Sequence, residues 1–263
     1  MRRRTLLCTL TGLAAGRAAW AAPDDEFEGD PFRSHPWIDM RREFLGGGRV
    51  VYDERVQVQG PAFAEDPMNV PISLRVDPAL GPVEQILVLV DRNPIKRVVN
   101  YQPLLALPSL SLRFKLEQAS PVRVAARTPD GVWHVGGTWV ESAGGGCTVS
   151  GDTRKDGSWS RTLGELSGRV FPLAGEGQSS PAARLRLRVM HPMDTGLVGG
   201  IPAFFVNRLS VQDAQGRELA RLQAFEPVSE NPVFSFDFAQ PPAGGVRVVG
   251  ADNNGNRIDG RLP

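Results

Sequence analysis

The residue with the greatest chemical potential in this sequence is Cys147, which follows three consecutive glycines, Gly144, Gly145 and Gly146. Glycine lacks a Cβ, so three in a row leave the backbone free to turn and give it little to pack with. We therefore predict a mobile, exposed tether that carries a thiol. A thiolate is a soft nucleophile that accepts sulfane sulfur or exchanges with another thiol. Such an arm suits a covalent carrier, which holds a group while other proteins act on it.

The first 21 residues predict an export signal. A basic start precedes a mostly apolar stretch, and residues 19–21 (Ala-Trp-Ala) have the small-x-small form of a signal-peptidase site. We expect cleavage near Ala21 and a periplasmic protein; residues 3–7 fit a twin-arginine signal as well as a Sec signal, so the export route stays open. Cleavage removes Cys8 and leaves Cys147 without an internal disulfide partner.

Composition and motifs argue against several function classes. A formal net charge of +1 argues against a nucleic-acid partner, and no stretch after the signal is long and apolar enough to span a bilayer. The sequence has no Gly-x-Ser-x-Gly elbow, phosphate loop, dinucleotide fingerprint or haem-attachment motif. We therefore expect no cofactor, and a protein that is not itself an enzyme.

Histidines and acidic loops give no second site. His35, His134 and His191 lie far apart without metal-ligand spacing, which favours structural or surface roles and predicts no metal site. A Cys–His pair formed in space stays open, because folding can bring distant residues together. Residues 252–259 resemble a calcium loop but lack the glutamate at its twelfth position and the flanking helices, so they predict a hairpin turn.

Apolar periodicity predicts an all-β protein with one short helix near the N-terminus. Residues 37–45 predict that helix, which ends at three glycines. Short alternating runs separated by turns then predict strands at 49–58, 70–76, 86–90, 110–116, 122–126 and 132–140. Residues 151–181, rich in glycine, serine and charge, predict a linker. A second set of strands is predicted at 184–189, 203–212, 217–223, 233–238 and 246–249, so the pattern favours two β-sandwiches in tandem.

The same segments resemble a known pair of proteins. Residues 135–140 (Val-Gly-Gly-Thr-Trp-Val), followed by the glycine–cysteine stretch, resemble the end of SoxY, the sulfur-carrier subunit of the periplasmic thiosulfate-oxidising system. Residues 64–72, 92–94 and 125–131 fit the same pattern, and residues 191–196 (His-Pro-Met-Asp-Thr-Gly), 205–207 and 229–236 resemble its partner SoxZ. Their order resembles a fused SoxY–SoxZ-like carrier of the kind associated with quinoprotein dehydrogenases.

The resemblance implies an immunoglobulin-like sandwich in each half and an intimate interface between them. After a signal at 1–21 and an extension at 22–48, it implies a SoxY-like domain at 49–146, the cysteine arm and linker at 147–181, and a SoxZ-like domain at 182–263. Cys147 becomes the attachment point and Gly144, Gly145 and Gly146 its flexible arm. The implied partners are periplasmic redox proteins: Sox-type enzymes, a quinoprotein dehydrogenase or a c-type cytochrome.

One departure from the family pattern concerns the arm itself. The family arm ends free, with glycines on both sides of the cysteine, whereas Thr148 and Val149 follow Cys147 here and the chain continues. An arm held at both ends has a shorter reach. Two functions therefore stand side by side: a covalent carrier loaded on Cys147, or an accessory module that docks on a periplasmic dehydrogenase or cytochrome without using Cys147.

Overall fold

The structure, a computed structural model, describes residues 26–174 and 180–263. The predicted signal peptide with Cys8 lies outside these residues. The described chain is mostly β, with two sheets and a short N-terminal helix, which confirms the predicted fold class of tandem immunoglobulin-like sandwiches. The helix begins two residues earlier than predicted.

The elements follow one another with short connections. The helices are α1 (His35–Leu45), α2 (Asp152–Asp156) and α3 (Trp159–Thr162), and a 3-10 turn covers Pro78–Leu80. The strands are β1 (Val50–Tyr52), β2 (Val56–Gln59), β3 (Phe63–Ala64), β4 (Val70–Val76), β5 (Gln85–Val90), β6 (Arg97–Gln102), β7 (Ser109–Phe114), β8 (Ser120–Arg127), β9 (Trp133–Ser142), β10 (Leu166–Pro172), β11 (Ala183–Val189), β12 (Val206–Gln212), β13 (Glu218–Ala224), β14 (Val233–Phe238), β15 (Val246–Asp252) and β16 (Arg257–Leu262).

Both sheets run through both halves of the chain. The large sheet has ten strands in the order β1-β9-β8-β5-β6-β13-β12-β15-β16, with β3 beside β9, and the small sheet has six in the order β10-β11-β14-β7-β4-β2. The halves join where β6 pairs with β13 and where β7 pairs with β14. The predicted intimate interface is therefore confirmed, because backbone hydrogen bonds continue from one half into the other.

One apolar core fills the space between the two sheets. Alternating side chains from both halves meet there, for example Val88 and Val124 of the large sheet with Leu112 and Phe236 of the small sheet. The outer face of β5 is also covered, because α1 packs its apolar stripe against Leu87 and Leu89. Burial on both faces explains why β5 reads as a continuous apolar run rather than an alternating one.

Two predicted segments differ in the structure. Residues 49–58 do not form one strand: Asp53 accepts the backbone N–H of Val56 in a turn, so β1 joins the large sheet and β2 the small sheet. Residues 151–181 are not a plain linker either. They hold α2, α3 and β10, and β10 pairs with β11 from Leu166 opposite Val189 to Pro172 opposite Ala183. Alternation missed β10 because Gly168 and Pro172 occupy two of its core-facing positions and none of its seven residues is buried.

A buried ion cluster, which we call the arginine clamp, ties the N-terminal segment to the large sheet. Arg123 of β8 is fully buried and donates to both carboxylate oxygens of Asp91 at 2.8 Å and to both of Asp30 at 2.6 and 2.9 Å. Its guanidinium also stacks on Trp37, 4.3 Å from the ring centre. Buried charges are tolerated when they are paired and hydrogen-bonded, as here.

Candidate functional site

Cys147 is buried, with none of its surface exposed. The expectation of an exposed thiol on a free tether is therefore wrong for this conformation. The arm lies against the end of β7, and the Cys147 Sγ atom is 3.6 Å from the carbonyl oxygen of Lys115, within reach of a weak S–H donor. The predicted attachment residue thus sits inside the protein, between the two halves of the chain.

Two arm glycines are needed for close approach rather than for freedom. A Cβ on Gly146 would lie 2.2 Å from the carbonyl oxygen of Pro67 and 2.6 Å from that of Leu116, closer than real Cβ contacts come. Gly144 has φ +96°, and a Cβ there would lie 2.8 Å from the carbonyl oxygen of Glu117. Glycine is required at both positions because the arm backbone presses directly on neighbouring backbone.

Hydrogen bonds fix the arm along its length. The backbone N–H groups of Gly145 and Gly146 donate to the carbonyls of Glu117 and Leu116 at 3.1 and 3.2 Å. The Glu117 carboxylate accepts the Cys147 backbone N–H at 2.8 Å and the hydroxyl of Thr148 at 3.1 Å. Glu117 thereby holds the backbone of Cys147 and the side chain of the residue that follows it.

Asn93 braces this wall of the site. Its side-chain oxygen accepts the Glu117 backbone N–H at 2.8 Å, and its side-chain nitrogen donates to the Lys115 carbonyl at 2.7 Å. Asn93 is itself buried. Lys115 and Glu117, against which the arm packs, are therefore both held by Asn93 from the β5–β6 connection. The arm packs on a surface whose backbone is fixed.

The second half of the chain closes the site from the other side. The Thr195 hydroxyl donates to the Cys147 carbonyl at 2.6 Å. Lys115, 2 % exposed, donates from Nζ to the carbonyl of Met193. We call this arrangement of Cys147, Lys115, Glu117, Met193 and Thr195 the cysteine pocket. It exists only where the two halves meet.

His191 supports the closing segment without touching the thiol. Its Nδ1 accepts the backbone N–H of Met193 at 3.1 Å. Its Nε2 is buried, lies 3.5 Å from Asp252 and makes no hydrogen bond of ordinary geometry. Burial lowers the pKa of His191 to about 4, against an opposing effect of Asp252. Within the described residues no hydrogen bond or ion pair joins Cys147 to a histidine.

The helices of the predicted linker fold over this segment. Arg154 of α2 donates to Asp194 from Nε at 2.7 Å and stacks on Trp159 of α3, 4.1 Å from the ring centre. The Glu230 carboxylate accepts the first N–H groups of α2, those of Asp152 and Thr153, at 2.9 and 2.7 Å. An acidic group is favourable at a helix N-terminus. The stretch after Cys147 is thus packed against the second half.

The electrostatics of the cysteine pocket keep the thiol protonated. Burial raises the pKa of Cys147 to about 12, the nearby Glu117 carboxylate adds to this, and the Lys115 ammonium opposes it. Burial likewise lowers the pKa of Lys115. Since the thiolate is the nucleophile, docked Cys147 is a poor one. Reaction at this sulfur requires the arm to leave the pocket.

Sequence reasoning missed Lys115, Glu117 and Thr195. Lys115 falls on the polar side of an alternating pattern, which predicts exposure, but the second half covers it. Asn93 and Thr195 do belong to segments that carry the family resemblance, at 92–94 and 191–196. That resemblance was the only available signal for them, because a hydroxyl or an amide has no spacing pattern of its own.

The remaining sequence candidates lie elsewhere. His134 lies on β9, and its Nδ1 atom is 2.8 Å from the Asp53 carboxylate. His35 lies in the first turn of α1 near Glu26. The Asp252 side chain accepts the backbone N–H groups of Asn254 and Asn256 at 2.9 Å, as a turn requires. In residues 26–174 and 180–263 no three His, Cys, Asp or Glu side chains gather as a metal site would need, and no helix has the length and apolarity to cross a membrane.

Fold and site together define a class: tandem β-sandwiches that share their sheets and hold one cysteine on a glycine arm at the junction. Comparison with protein families gives the class its name. Residues 41–147 match the model of the sulfur oxidation protein SoxY, and residues 175–262 match that of the sulphur oxidation protein SoxZ. The SoxY match ends at Cys147 itself. The chain is a fused SoxY–SoxZ-like protein.

One solved structure resembles part of this chain. A solved structure, that of the sulfur carrier protein SoxY from Chlorobium limicola f thiosulfatophilum, is 16 % identical over 41 % of this chain and 96 % of that chain, with a TM-score of 0.36. No curated protein sequence matches the chain. The two family matches support a sulfur-carrier role in sulfur oxidation. SoxY and SoxZ proteins are carriers rather than catalytic enzymes, and membership of these families implies interaction with Sox-type enzymes.

Proposed function

We propose that this protein is a periplasmic covalent carrier that holds a sulfur-containing or other thiol-reactive intermediate on Cys147 while partner redox enzymes process it. The observation that supports the proposal most directly is the position of Cys147. It ends the SoxY match, follows the glycine arm and is enclosed by a polar pocket that both halves build. A structural cysteine would need only apolar neighbours, whereas this thiol lies at the Lys115 carbonyl and the Cys147 backbone is held by the side chains of Glu117 and Thr195.

The docked arm is the resting state of this carrier. Docking protonates and covers the thiol, which protects it from oxidation in an oxidising compartment. Loading then requires an opened arm with a more ordinary thiol pKa. In the simplest loading step the Cys147 thiolate attacks the terminal sulfur of a persulfide donor, R–S–SH. The donor's S–S bond breaks, R–S⁻ leaves, and Cys147 keeps the sulfur as Cys147–S–SH with no net oxidation.

The proposed partners are Sox-type enzymes, and, through the likeness to fused carriers, a quinoprotein dehydrogenase or a c-type cytochrome. Because the arm is held at both ends, it has a short reach. It is therefore better suited to a partner whose active site covers the surface around Cys147 than to a partner whose active site lies at the end of a deep tunnel. The opened arm can rise only as far as the chain between Ser142 and Gly151 allows, because both ends are anchored by packing.

Intact-mass spectrometry of protein purified from its own periplasm tests the proposal. We expect a reductant-sensitive mass increment that maps to Cys147 in the wild type and is absent in Cys147→Ser. Ser150→Ala, a neighbouring change that leaves the thiol intact, serves as the control and should keep the increment. An unmodified thiol under conditions where the pathway is active, with full pathway rate in Cys147→Ser cells, would refute the carrier function.

The burial of the thiol favours one alternative. If Cys147 never leaves its pocket, the protein is an accessory module that docks on a periplasmic redox protein, and the cysteine contributes only to packing. In that case Cys147→Ser protein still co-purifies with the partner and supports its normal activity. Alkylation of Cys147 by iodoacetamide in the native protein separates the two functions, because a permanently docked thiol resists the reagent until the protein unfolds.

A further inference from the structure

The outer face of the small sheet carries an unusual concentration of arginine. Its outward positions alternate with the core positions along each strand, and six of them are arginines: Arg75 of β4, Arg113 of β7, Arg169 of β10, and Arg184, Arg186 and Arg188 of β11. Asp237 of β14 is the single acidic residue on these strands, and it is bound to Arg184 at 2.6 Å. We call this surface the arginine face.

Most of these arginines form no ion pair within the part of the chain that the structure describes. Among the described residues Arg75, Arg113, Arg186 and Arg188 form no ion pair with a carboxylate, and all four are exposed. Arg169 stacks only on Phe171 and lies directly opposite Arg186 in the β10–β11 register. Like charges directly opposite in a sheet are destabilising. The fold therefore maintains a repulsive arrangement that an anionic partner would relieve.

The shape of the face fits an extended partner. From β4 to β10 it crosses five neighbouring strands, about 19 Å at ordinary strand spacing. Small side chains lie between the arginines, Ser73, Ser111, Ser235 and Ser167. At one end four of the arginines line a groove of about 840 Å³. A small anion would contact only two or three of these side chains, whereas a protein surface can contact the whole row.

The residue type indicates oxyanions, and the length of the face favours many carboxylates over one small anion. The positively charged groups of the face are arginines without a lysine, and the planar guanidinium binds carboxylates and phosphates in a bidentate manner that an ammonium cannot. The chain as a whole has a formal net charge of only +1, so this excess is local. We propose that the arginine face is the docking surface for an acidic patch on a partner protein.

The groove of the face adjoins the cysteine pocket. The Arg113 carbonyl accepts the backbone N–H of Ser229 at 3.1 Å, and the Ser229 hydroxyl donates to the carbonyl of Met68 at 2.7 Å. The preceding residue, Pro67, accepts the Leu116 N–H and covers Gly146. A partner seated on the arginine face therefore lies beside the segments that hold the arm.

Three carboxylates at the groove offset part of the positive charge of its four arginines, but each is held by local partners. The Glu230 carboxylate is occupied by the N-terminus of α2, and Asp66 accepts the Met68 backbone N–H at 2.9 Å and the Asn69 side chain at 2.8 Å. Asp152 faces Lys155 at 3.1 Å. These carboxylates cap backbone groups or pair locally, so the arginines remain the groups available to a partner.

Calorimetric titration of the full chain with poly-L-glutamate tests the proposal. We expect salt-sensitive binding that Arg186→Glu/Arg188→Glu weakens by about tenfold or more, since rim charges set such encounters. The matched control is Arg257→Glu/Arg261→Glu, the same charge change on two exposed arginines of β16 in the other sheet; we expect a loss of less than about threefold. If Arg186→Glu/Arg188→Glu does not fold, Arg186→Gln/Arg188→Gln takes its place, because it removes the two charges without reversing them.

Three results would overturn the proposal. Equal losses in both double variants would show that only net charge matters. Inorganic phosphate that displaces the polypeptide at matched ionic strength would show a small-anion site instead. Binding of phosphatidylglycerol vesicles, lost in Arg186→Glu/Arg188→Glu, without binding of poly-L-glutamate would show a membrane surface. None of these measurements involves Cys147, so a negative result for the arginine face does not contradict the carrier function. Equally, an unloaded Cys147 would not contradict docking at the arginine face.

Discussion

The arginine clamp and the cysteine pocket are both buried polar sites, but they are satisfied to different degrees. Arg123 directs its guanidinium at two carboxylates and two aromatic rings, with its hydrogen bonds at 2.6 to 2.9 Å. In the cysteine pocket the Lys115 ammonium has one carbonyl as its partner, and the thiol is 3.6 Å from its acceptor. Beside the pocket, His191 Nε2 makes no hydrogen bond of ordinary geometry with any described residue.

The difference separates a permanent structural bond from a site that can open. Fully paired buried charges are costly to separate, so the clamp fixes the N-terminal segment on the large sheet. Partly satisfied groups lose little when water reaches them, since water supplies the missing hydrogen bonds. The proposed carrier function therefore needs the cysteine pocket, and not the clamp, to open, against the hydrogen bonds that hold the arm backbone.

The largest expected effect tests the clamp. Arg123→Met leaves two carboxylates, Asp30 and Asp91, buried without their counter-ion, and we expect a loss of about 3–5 kcal/mol in the free energy of unfolding. Urea unfolding measures it. The control Arg247→Met removes an exposed pair with Asp259 and should cost less than about 1 kcal/mol. Similar losses in both variants would contradict the distinction between clamp and surface.

A smaller effect on stability comes from acid acting on His191, which supports the segment that closes the cysteine pocket. Burial lowers the pKa of His191 from 6.5 to about 4, so the unfolded chain takes up a proton before the folded one does. The contribution of His191 to the free energy of unfolding is complete above pH 6.5 and is lost as the pH falls toward 4, on the order of 3 kcal/mol.

Urea unfolding across that pH window checks this expectation. In His191→Gln, which keeps an acceptor but does not titrate, the part of the acid destabilisation that belongs to His191 should disappear. The arginine clamp should not share this dependence, because Arg123 stays charged and the pKa of Asp30 is lowered. Burial is the largest single effect on that pKa and raises it, but the hydrogen bonds from Arg123, Ser34 and Phe32, together with the charge of Arg123, lower it by more. An unchanged acid profile in the variant would mean that other groups control the loss.

The smallest effect concerns the arm alone. Gly146→Ala places a Cβ against the backbone of Pro67 and Leu116, so we expect the arm to undock at a cost of about 1–3 kcal/mol. The rate of Cys147 alkylation by iodoacetamide should rise by about tenfold or more, since undocking by 1.4 kcal/mol is worth that factor.

Gly145→Ala is the matched control. It lies on the same arm at φ +86° with nothing within 4 Å of its Cβ, so it introduces backbone strain without a clash. It should raise the alkylation rate less than Gly146→Ala does. If the two variants alkylate equally fast, close packing of Gly146 is not what holds the arm, and the pocket is less specific than its geometry indicates.

Sequence periodicity was sufficient for most strands because alternation along a strand is a local property. Residues 70–76, 110–116 and 184–189 each show it and each contain a strand where expected. It failed at residues 49–58, where a turn divides β1 from β2, and at 151–181, where Gly168 and Pro172 take core-facing positions of β10. The reason is that a change of sheet leaves no periodic signal, and that glycine and proline interrupt the apolar side of a strand.

For the site, the sequence by itself determined which atom carries the chemistry and that it follows a glycine arm. It also carried the family resemblance, because that depends on short motifs in a fixed order. Only the tertiary structure decided that Cys147 is buried, that Lys115 lies under the second half, and that Thr195 holds the arm. Exposure depends on what covers a residue from distant parts of the chain, and three glycines permit a free tether and a tightly packed one equally well.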